Sequence, residues 1–308
     1  MTPMDNRTTA IVVNRHAGTV RSMGTEAVQA LIADAFPEAQ VSLLDGSDIE
    51  AHVRSLLGGG AIDRLIVGGG DGTLASAAGL VAGSSVALGI LPLGTMNLIA
   101  QTVGMEASLG AALAQLRDAQ AQPVDAGRAN GRLFLHHVSF GLQPRMVRIR
   151  ERLGYSSRLT KMLAAARATL AVLVNPRSLR LGLTIDGQLA EIRTPGLIVS
   201  NNLYENARML KQARLDEGVL GIYALSPMPL IAYLRLAIDV LRGRWQDNVN
   251  VQEQRGRRVG LVRHRRLRRD SRSIQATVDG ELALLDLPLQ IESEPGALRL
   301  LIPSATSA

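Results

Sequence analysis

Leu65-Ile66-Val67-Gly68-Gly69-Gly70-Asp71-Gly72-Thr73-Leu74 is the stretch on which the fold turns. Leu65 to Val67 reads as a buried strand, and the apolar spacing from Leu74 to Val81 reads as a helix. The glycines between them leave backbone N–H groups bare, because no side chain blocks a close approach. The helix adds its positive N-terminal end, and Thr73 adds a hydroxyl. Such a turn suits phosphate oxygens. Asp71 is the discordant member, since an acid repels phosphate unless a divalent cation such as Mg²⁺ lies between them. A tight turn with a capping aspartate is the plain alternative. The run lacks the Gly-Lys-Ser/Thr ending of a Walker A loop and does not match the dinucleotide G-x-G-x-x-G pattern.

On both sides of this stretch, strand and helix patterns alternate. Ala10 to Val13 is a short apolar run ending at Asn14, Thr25 to Ala35 has helical spacing, and Val41 to Leu44 is the next strand. Ser47 or Asp48 starts a helix that runs to Leu57. Downstream, Val86 to Leu91 is a fourth strand, followed by Pro92-Leu93-Gly94-Thr95 and by helices over Met96 to Val103 and Ser108 to Ala121. The alternation predicts a parallel sheet with helices on both faces. Ligands of such sheets gather at the carboxyl ends of the strands, so Gly94, Thr95 and Asn97 join the glycine loop as candidates for one nucleotide site. Thr95 as a simple helix cap is the alternative.

The character changes near Pro123. Asn130-Gly131 is a hairpin signal. Strand-like runs recur at Leu179 to Ile185, Gly196 to Ser200, Val219 to Leu225, Arg257 to Val262, Ile274 to Val278 and Leu287 to Glu292. They predict an antiparallel sandwich or barrel. Two helical stretches interrupt it, Pro144 to Leu173 and Leu230 to Leu241. We therefore expect two domains, residues 1–122 and 123–308, with the last segment a candidate to pack back on the first.

Composition removes several classes of function. There is no cysteine, hence no disulfide, zinc–thiolate site or cysteine nucleophile. Met1 to Thr9 is polar, so no secretory leader is read and the chain is expected to be cytoplasmic. No segment reaches the ~18 uninterrupted apolar residues of a spanning helix; the best candidate, Val219 to Leu234, holds Pro227 and Pro229. The net charge of +7 is concentrated: Arg255 to Arg272 contains nine arginines against one aspartate, so the rest of the chain is close to neutral.

Gly69-Gly70-Asp71-Gly72-Thr73, followed some twenty residues later by Pro92-Leu93-Gly94-Thr95-Met96-Asn97, resembles the diacylglycerol kinase catalytic family, which includes bacterial lipid kinases and sphingosine kinases. Three further matches keep the family's order. Asn14-Arg15-His16-Ala17-Gly18 is similar to its Asn-Pro loop, Leu215-Asp216-Glu217-Gly218-Val219-Leu220 to its Asp-Asp-Gly-Leu-Leu segment, and Asp279-Gly280-Glu281 to its late Asp-Gly-Glu.

The resemblance implies an α/β domain akin to phosphofructokinases and NAD kinases, then a β-sandwich, with the active site in the cleft. It implies transfer of phosphate from ATP, with Mg²⁺, to a lipid hydroxyl. Asn14, Gly68, Gly69, Gly70, Asp71, Gly72, Thr73, Gly94, Thr95 and Asn97 would hold the nucleotide. Glu281 would be the general base and Asp71 would serve catalysis. A separate cation would sit at the Asp216 turn, on Glu217 and the carbonyls of Arg214 and Val219. The Asp279-Gly280 pair is by itself a hairpin turn, and both readings are compatible. The chain departs from the family pattern at Arg15, Ala75, Ser76, Leu98 and Gln101, and at Leu43 or Leu44. Ser76 and Leu98 remove carboxylates expected near the metal.

A lipid kinase must reach a bilayer. The arginine run, including Arg257, Arg258, Arg265, Arg266, Arg268 and Arg269, would bind anionic headgroups at about 1 kcal/mol per residue and hold the enzyme peripherally; a solvated hairpin is the alternative. Met146 to Val174 mixes basic and apolar residues as an interfacial helix does, or as a helix packed on its own domain does. Three rival functions remain. An NAD kinase would need an Asn-Glu motif that Asn201-Asn202 does not supply. A nucleic-acid binder would leave both glycine loops unexplained, and 3% aromatic content offers little for base stacking. A degenerate nucleotide or lipid binder is the third.

Overall fold

β1 (Thr9–Asn14), β2 (Gln40–Leu44), β3 (Arg64–Gly69) and β4 (Ala87–Pro92) lie parallel in the order β2-β1-β3-β4 in a computed structural model. The model describes residues 8–95, 97–152, 167, 172–174, 176–207, 211–212, 214–263 and 272–303. Ile11 lies opposite Val41 on one side and Ile66 on the other. β3 and β4 are buried almost along their whole length, as befits parallel strands covered on both faces. The covering helices are α1 (Gly18–Met23), α2 (Thr25–Ala35), α3 (Gly46–Gly58), α4 (Asp71–Val81), α5 (Leu98–Thr102) and α6 (Leu109–Asp118). Each longer helix buries one stripe at helical spacing: Val28 and Ile32 on α2, Ile49 and Val53 on α3, Leu109, Leu113 and Leu116 on α6. The Ser108 side chain caps α6 by accepting the Ala111 amide at 3.4 Å.

The remaining elements are β5 (Gln120–Ala129), β6 (Arg132–Phe134), β7 (His137–Gly141), α7 (Leu142–Arg152), β8 (Leu179–Ile185), β9 (Gln188–Thr194), β10 (Gly196–Asn201), β11 (Leu220–Leu225), α8 (Leu230–Arg242), β12 (Val251–Gly256), β13 (Arg258–Arg263), β14 (Ser273–Val278), β15 (Glu281–Asp286) and β16 (Leu289–Ile302). One antiparallel sheet has the order β12-β11-β10-β7-β14-β15. A second runs β16-β13-β8-β9, with the β5–β6 hairpin joined to β16. A single core that includes Phe134, Phe140, Leu183, Val199, Leu261 and Ile291 is drawn from both sheets, which makes this part a β-sandwich. Three hairpins close on Asn130-Gly131, Asp186-Gly187 and Asp279-Gly280, and all six residues have positive φ. That is the primed turn whose twist matches antiparallel strands.

Two compact units result. One runs to Val124 and includes the chain from Gly296 onward; the other is Asp125–Pro295. In the first unit, the end of β16 adds a parallel strand, with Arg299 opposite Ala87 and Leu300 opposite Leu88. The strands absent from the sequence reading include the central β7, a five-residue run that opens on His137, and β9, β12 and β15, each the edge of its sheet. Edge strands face solvent and carry polar residues, so β9 and β12, exposed along most of their length, lack the apolar pattern that marks a central strand. The helix expected over Ser108 to Ala121 stops at Asp118, and β5 begins at Gln120.

Candidate functional site

β1, β3 and β4 end side by side at Asn14, Gly69 and Pro92, and the loops that leave them meet. Gly70 precedes α4 and supplies no capping side chain to its first turn. Backbone touches backbone between the two glycine loops. A Cβ on Gly94 would lie 2.5 Å from the Gly70 Cα, and one on Gly69 would lie 2.7 Å from the Thr73 Cβ. Only glycine allows this approach. The third loop joins through Asn14, whose Nδ2 donates to Thr73 Oγ1 at 3.3 Å while its Oδ1 accepts the His16 amide at 2.9 Å.

Asn97 works inward. Its φ is +50°, its Oδ1 accepts the Gly94 amide at 2.9 Å, and its Nδ2 donates to the carbonyls of Gly94 at 3.1 Å and Pro92 at 3.2 Å. Its amide group is committed to shaping the Pro92–Asn97 loop. Thr95 is exposed in that loop and does not cap a helix; α5 starts at Leu98 with Asn97 as its N-cap.

The Asp71 carboxylate connects the loops again. Its Oδ1 accepts the Ile99 amide at 3.3 Å. Burial raises its pKa above the ordinary carboxylate range, and the amides of Ile99, Leu98 and Asn97 oppose that rise. These features fit a triphosphate carrying a divalent cation. Glycine at 69, 70 and 94 leaves room for phosphate beside the first turn of α4, and a cation would favour the ionised form of a carboxylate that burial disfavours.

In the second unit, Asp279-Gly280 is a two-residue turn, with Val278 paired to Glu281. Glu281 opens β15 and is exposed. The Asp279 side chain is buried, and it does something the turn signal does not announce. Its Oδ2 accepts the Leu135 amide at 2.8 Å, and its Oδ1 accepts those of His136 at 2.8 Å and His137 at 3.0 Å.

The Asp216 turn is held in a similar way. Asp125, also buried, accepts the Gly218 amide at 2.6 Å, and its own amide donates to the Leu215 carbonyl at 2.7 Å. The Asn202 amide donates to the Val219 carbonyl at 2.9 Å, and Asn202 Oδ1 accepts the Glu217 amide at 3.0 Å. Glu217 Oε2 accepts the Leu203 amide at 3.0 Å. Arg214 grips both oxygens of Asp216 at 2.9 Å, and this bond holds the Asp216 carboxyl below its usual range. Glu217 is thus the carboxylate of this turn not already neutralised by an arginine. Among the described residues no group of three or more His, Cys, Asp or Glu is placed to hold a metal ion. A cation here would rest chiefly on carbonyl oxygens.

A buried polar and aromatic cluster went unread in the sequence. Tyr204 Oη lies 3.0 Å from His137 Nδ1, and Gln143 Nε2 lies 3.0 Å from His137 Nε2. Burial, with the neighbouring His136, pushes His137 down to about 3, against a smaller opposing effect of the Gln143 bond. Tyr204, Tyr223 and Trp245 pack ring against ring. Gln143 and Tyr204 also line a cavity of about 220 Å³ whose other walls include Leu197, Leu225, Leu236 and Val240. An adjacent histidine pair and scattered leucines give no spacing from which to read such a site.

Of the basic residues, Arg257 and Arg258 are exposed, and Asp186 Oδ1 accepts their backbone amides at 3.0 and 2.9 Å. Arg265, Arg266, Arg268 and Arg269 lie outside the described residues, as does most of Met146 to Val174 beyond Arg152.

Residues 8–129 match the model of the diacylglycerol kinase catalytic domain, and residues 136–302 match that of the YegS C-terminal NAD kinase beta sandwich-like domain. The chain belongs to the diacylglycerol kinase catalytic family. Among relatives of this family, a Pseudomonas aeruginosa protein named "Probable lipid kinase YegS-like" is 28% identical over 298 residues, covering 93% of each chain. A Pseudomonas putida protein of the same name is 28% identical over 277 residues, covering 85% of this chain and 84% of that one. A solved diacylglycerol kinase from Bacillus anthracis superposes with a TM-score of 0.69 and covers 98% of both chains; at 18% identity that likeness shows the shared fold. This chain is thus a lipid-kinase family member whose α/β domain carries the glycine loops and whose second domain is the sandwich.

Proposed function

We propose that this family member is an ATP-dependent lipid kinase that transfers the γ-phosphoryl of ATP to the hydroxyl of a membrane lipid, diacylglycerol-like or sphingoid. The observation that carries the reading is the backbone contact of Gly70 with Gly94 at the carboxyl ends of β3 and β4, beside the half-buried Asp71. The loop from Gly68 to Thr73 receives phosphate oxygens, beside Gly94, whose own amide is held by Asn97. Asn14 holds Thr73 in place, and Asn97 keeps the second loop in shape. Mg²⁺, when bound, neutralises charge on the transferring group, and Asp71 is the residue we assign to it. The lipid oxygen forms a bond to the γ-phosphorus as the bond to the β–γ bridging oxygen breaks. Glu281 takes the hydroxyl proton, and ADP leaves. The near-apolar cavity of the second unit takes part of the lipid's chain. We further propose cytoplasmic, peripheral residence, with Arg257, Arg258, Arg265, Arg266, Arg268 and Arg269 on anionic headgroups. The Glu217 turn, with the Arg214 and Val219 carbonyls, is the site for a structural cation.

The test is incubation with labelled ATP, Mg²⁺ and separate acceptors: diacylglycerol, a sphingoid base, and NAD. Labelled lipid is expected. Labelled NAD, or no product despite nucleotide binding, would contradict the reading.

A further inference from the structure

Resting on the lipid-kinase reading, we propose that α8 is a membrane-seating helix whose outer face lies in the bilayer interface. The helix has thirteen residues and two apolar faces. Tyr233 is buried against α7 and residues 172–173, and Leu236 and Val240 line the cavity. On the outer side, Leu230, Ile231, Leu234, Ile238 and Leu241 are exposed by 39%, 59%, 45%, 46% and 72%. At about 100° per residue these five span an arc of roughly 100° along the full length of the helix. A soluble helix normally turns polar residues to this side.

Two observations favour a lipid surface over a protein partner. The first is charge. Arg235 and Arg242 fall on one flank of the stripe, where long basic side chains reach phosphates while their stems stay in the apolar layer. Asp239, the only acid of the helix, is turned to the inner side and accepts from Asn248 Nδ2 at 2.7 Å. The outer face is therefore aliphatic and basic with no acid, complementary to anionic headgroups. The second is area. A helix of this length is about 20 Å long and ~10 Å wide, so its face covers roughly 200 Å². A stable protein interface buries about 800 Å² per partner, which this face alone does not supply. Interfacial binding needs only the apolar stripe and its basic flank. The helix is also the roof of the cavity, so seating it would bring that cavity to the depth of the lipid chains.

The full chain would be co-sedimented with vesicles of phosphatidylcholine, alone or with phosphatidylglycerol in equal parts. The double variant Leu234→Gln/Ile238→Gln changes exposed positions only and should keep the wild-type melting temperature. Its vesicle partition is expected to fall by roughly tenfold or more. Arg235→Gln/Arg242→Gln is expected to weaken binding to the anionic vesicles in low salt and to leave binding to phosphatidylcholine unchanged. Failure of the wild type to bind either vesicle, or undiminished binding by the apolar double variant, would overturn the proposal. So would a wild-type dimer that this variant turns into monomer with vesicle binding intact, since the stripe would then join two copies. Activity on detergent-dispersed lipid separates the two readings. If the wild type phosphorylates no lipid, yet the apolar variant loses vesicle binding, the kinase reading falls and the membrane face stands.

Discussion

Asp71 in the first unit and His137 in the second are both desolvated, and burial acts on them in opposite directions. Burial raises Asp71 and lowers His137, since in each case it disfavours the charged form. The consequences for stability are opposite in sign. The folded value of Asp71 lies above its ordinary 3.8, so the folded state holds that proton more tightly. Its favourable contribution is present below 3.8 and is lost as pH rises through the raised value. At neutral pH the ionised carboxylate therefore destabilises the fold. His137 falls from 6.5 to about 3, so its contribution is present above 6.5 and is lost as pH drops through that window. His137 is bonded to Tyr204 and Gln143, which is how a structural group is kept neutral. The groups acting on Asp71 besides burial are amides of its own and the neighbouring loop, and its carboxylate stands at the glycine cradle. The contrast teaches that one region is built for stability and the other retains strain where a cation is proposed to bind.

The largest test of this contrast is in turnover. Asp71→Asn and Glu281→Gln are each expected to lower kcat by about 10²–10⁴-fold with the fold intact, measured by ATP-dependent lipid phosphorylation. Wild-type rates in either variant would remove that residue from the proposed machinery. Next is Asp279→Ala, which strips the acceptor from three amides. It is expected to destabilise the protein by about 3 kcal/mol or more in denaturant unfolding. A shift under about 1 kcal/mol would make Asp279 only a turn residue. Third, wild-type stability should fall as pH goes from 6.5 towards 3, and His137→Gln should flatten that slope in thermal melts. An unchanged slope would mean that His137 does not titrate as its burial implies. The smallest effect is also the most pointed: Asp71→Asn should raise the melting temperature slightly at neutral pH, with the gain vanishing as pH approaches 3.8. A variant that is both inactive and less stable would contradict the asymmetry.

What the sequence made legible follows the same division. Parallel strands buried on both faces leave unbroken apolar runs, so β1, β3 and β4 and the glycine turns after them could be read directly, while β2, a half-exposed edge, was read from Val41, Leu43 and Leu44. Phosphate cradles require glycine at fixed places, and the structure brings Asn14, Gly68 to Thr73, Gly94 and Asn97 together. The sandwich was visible through most of its central strands and its Asn-Gly and Asp-Gly turns, whereas the central β7 and the edges β9, β12 and β15 were not. The inward work of Asn97 and Asp279 was also hidden, because a hydrogen bond to a distant amide leaves no local pattern. The cavity under α8 was hidden for another reason: aliphatic walls look like any core.

The most direct test is a crystal structure of the protein with magnesium and a non-hydrolysable ATP analogue. We expect the phosphates against the amides of the loop of residues 68–73, beside Gly94, with the metal ion on the Asp71 side. A nucleotide bound elsewhere, with those amides facing solvent, would contradict the account.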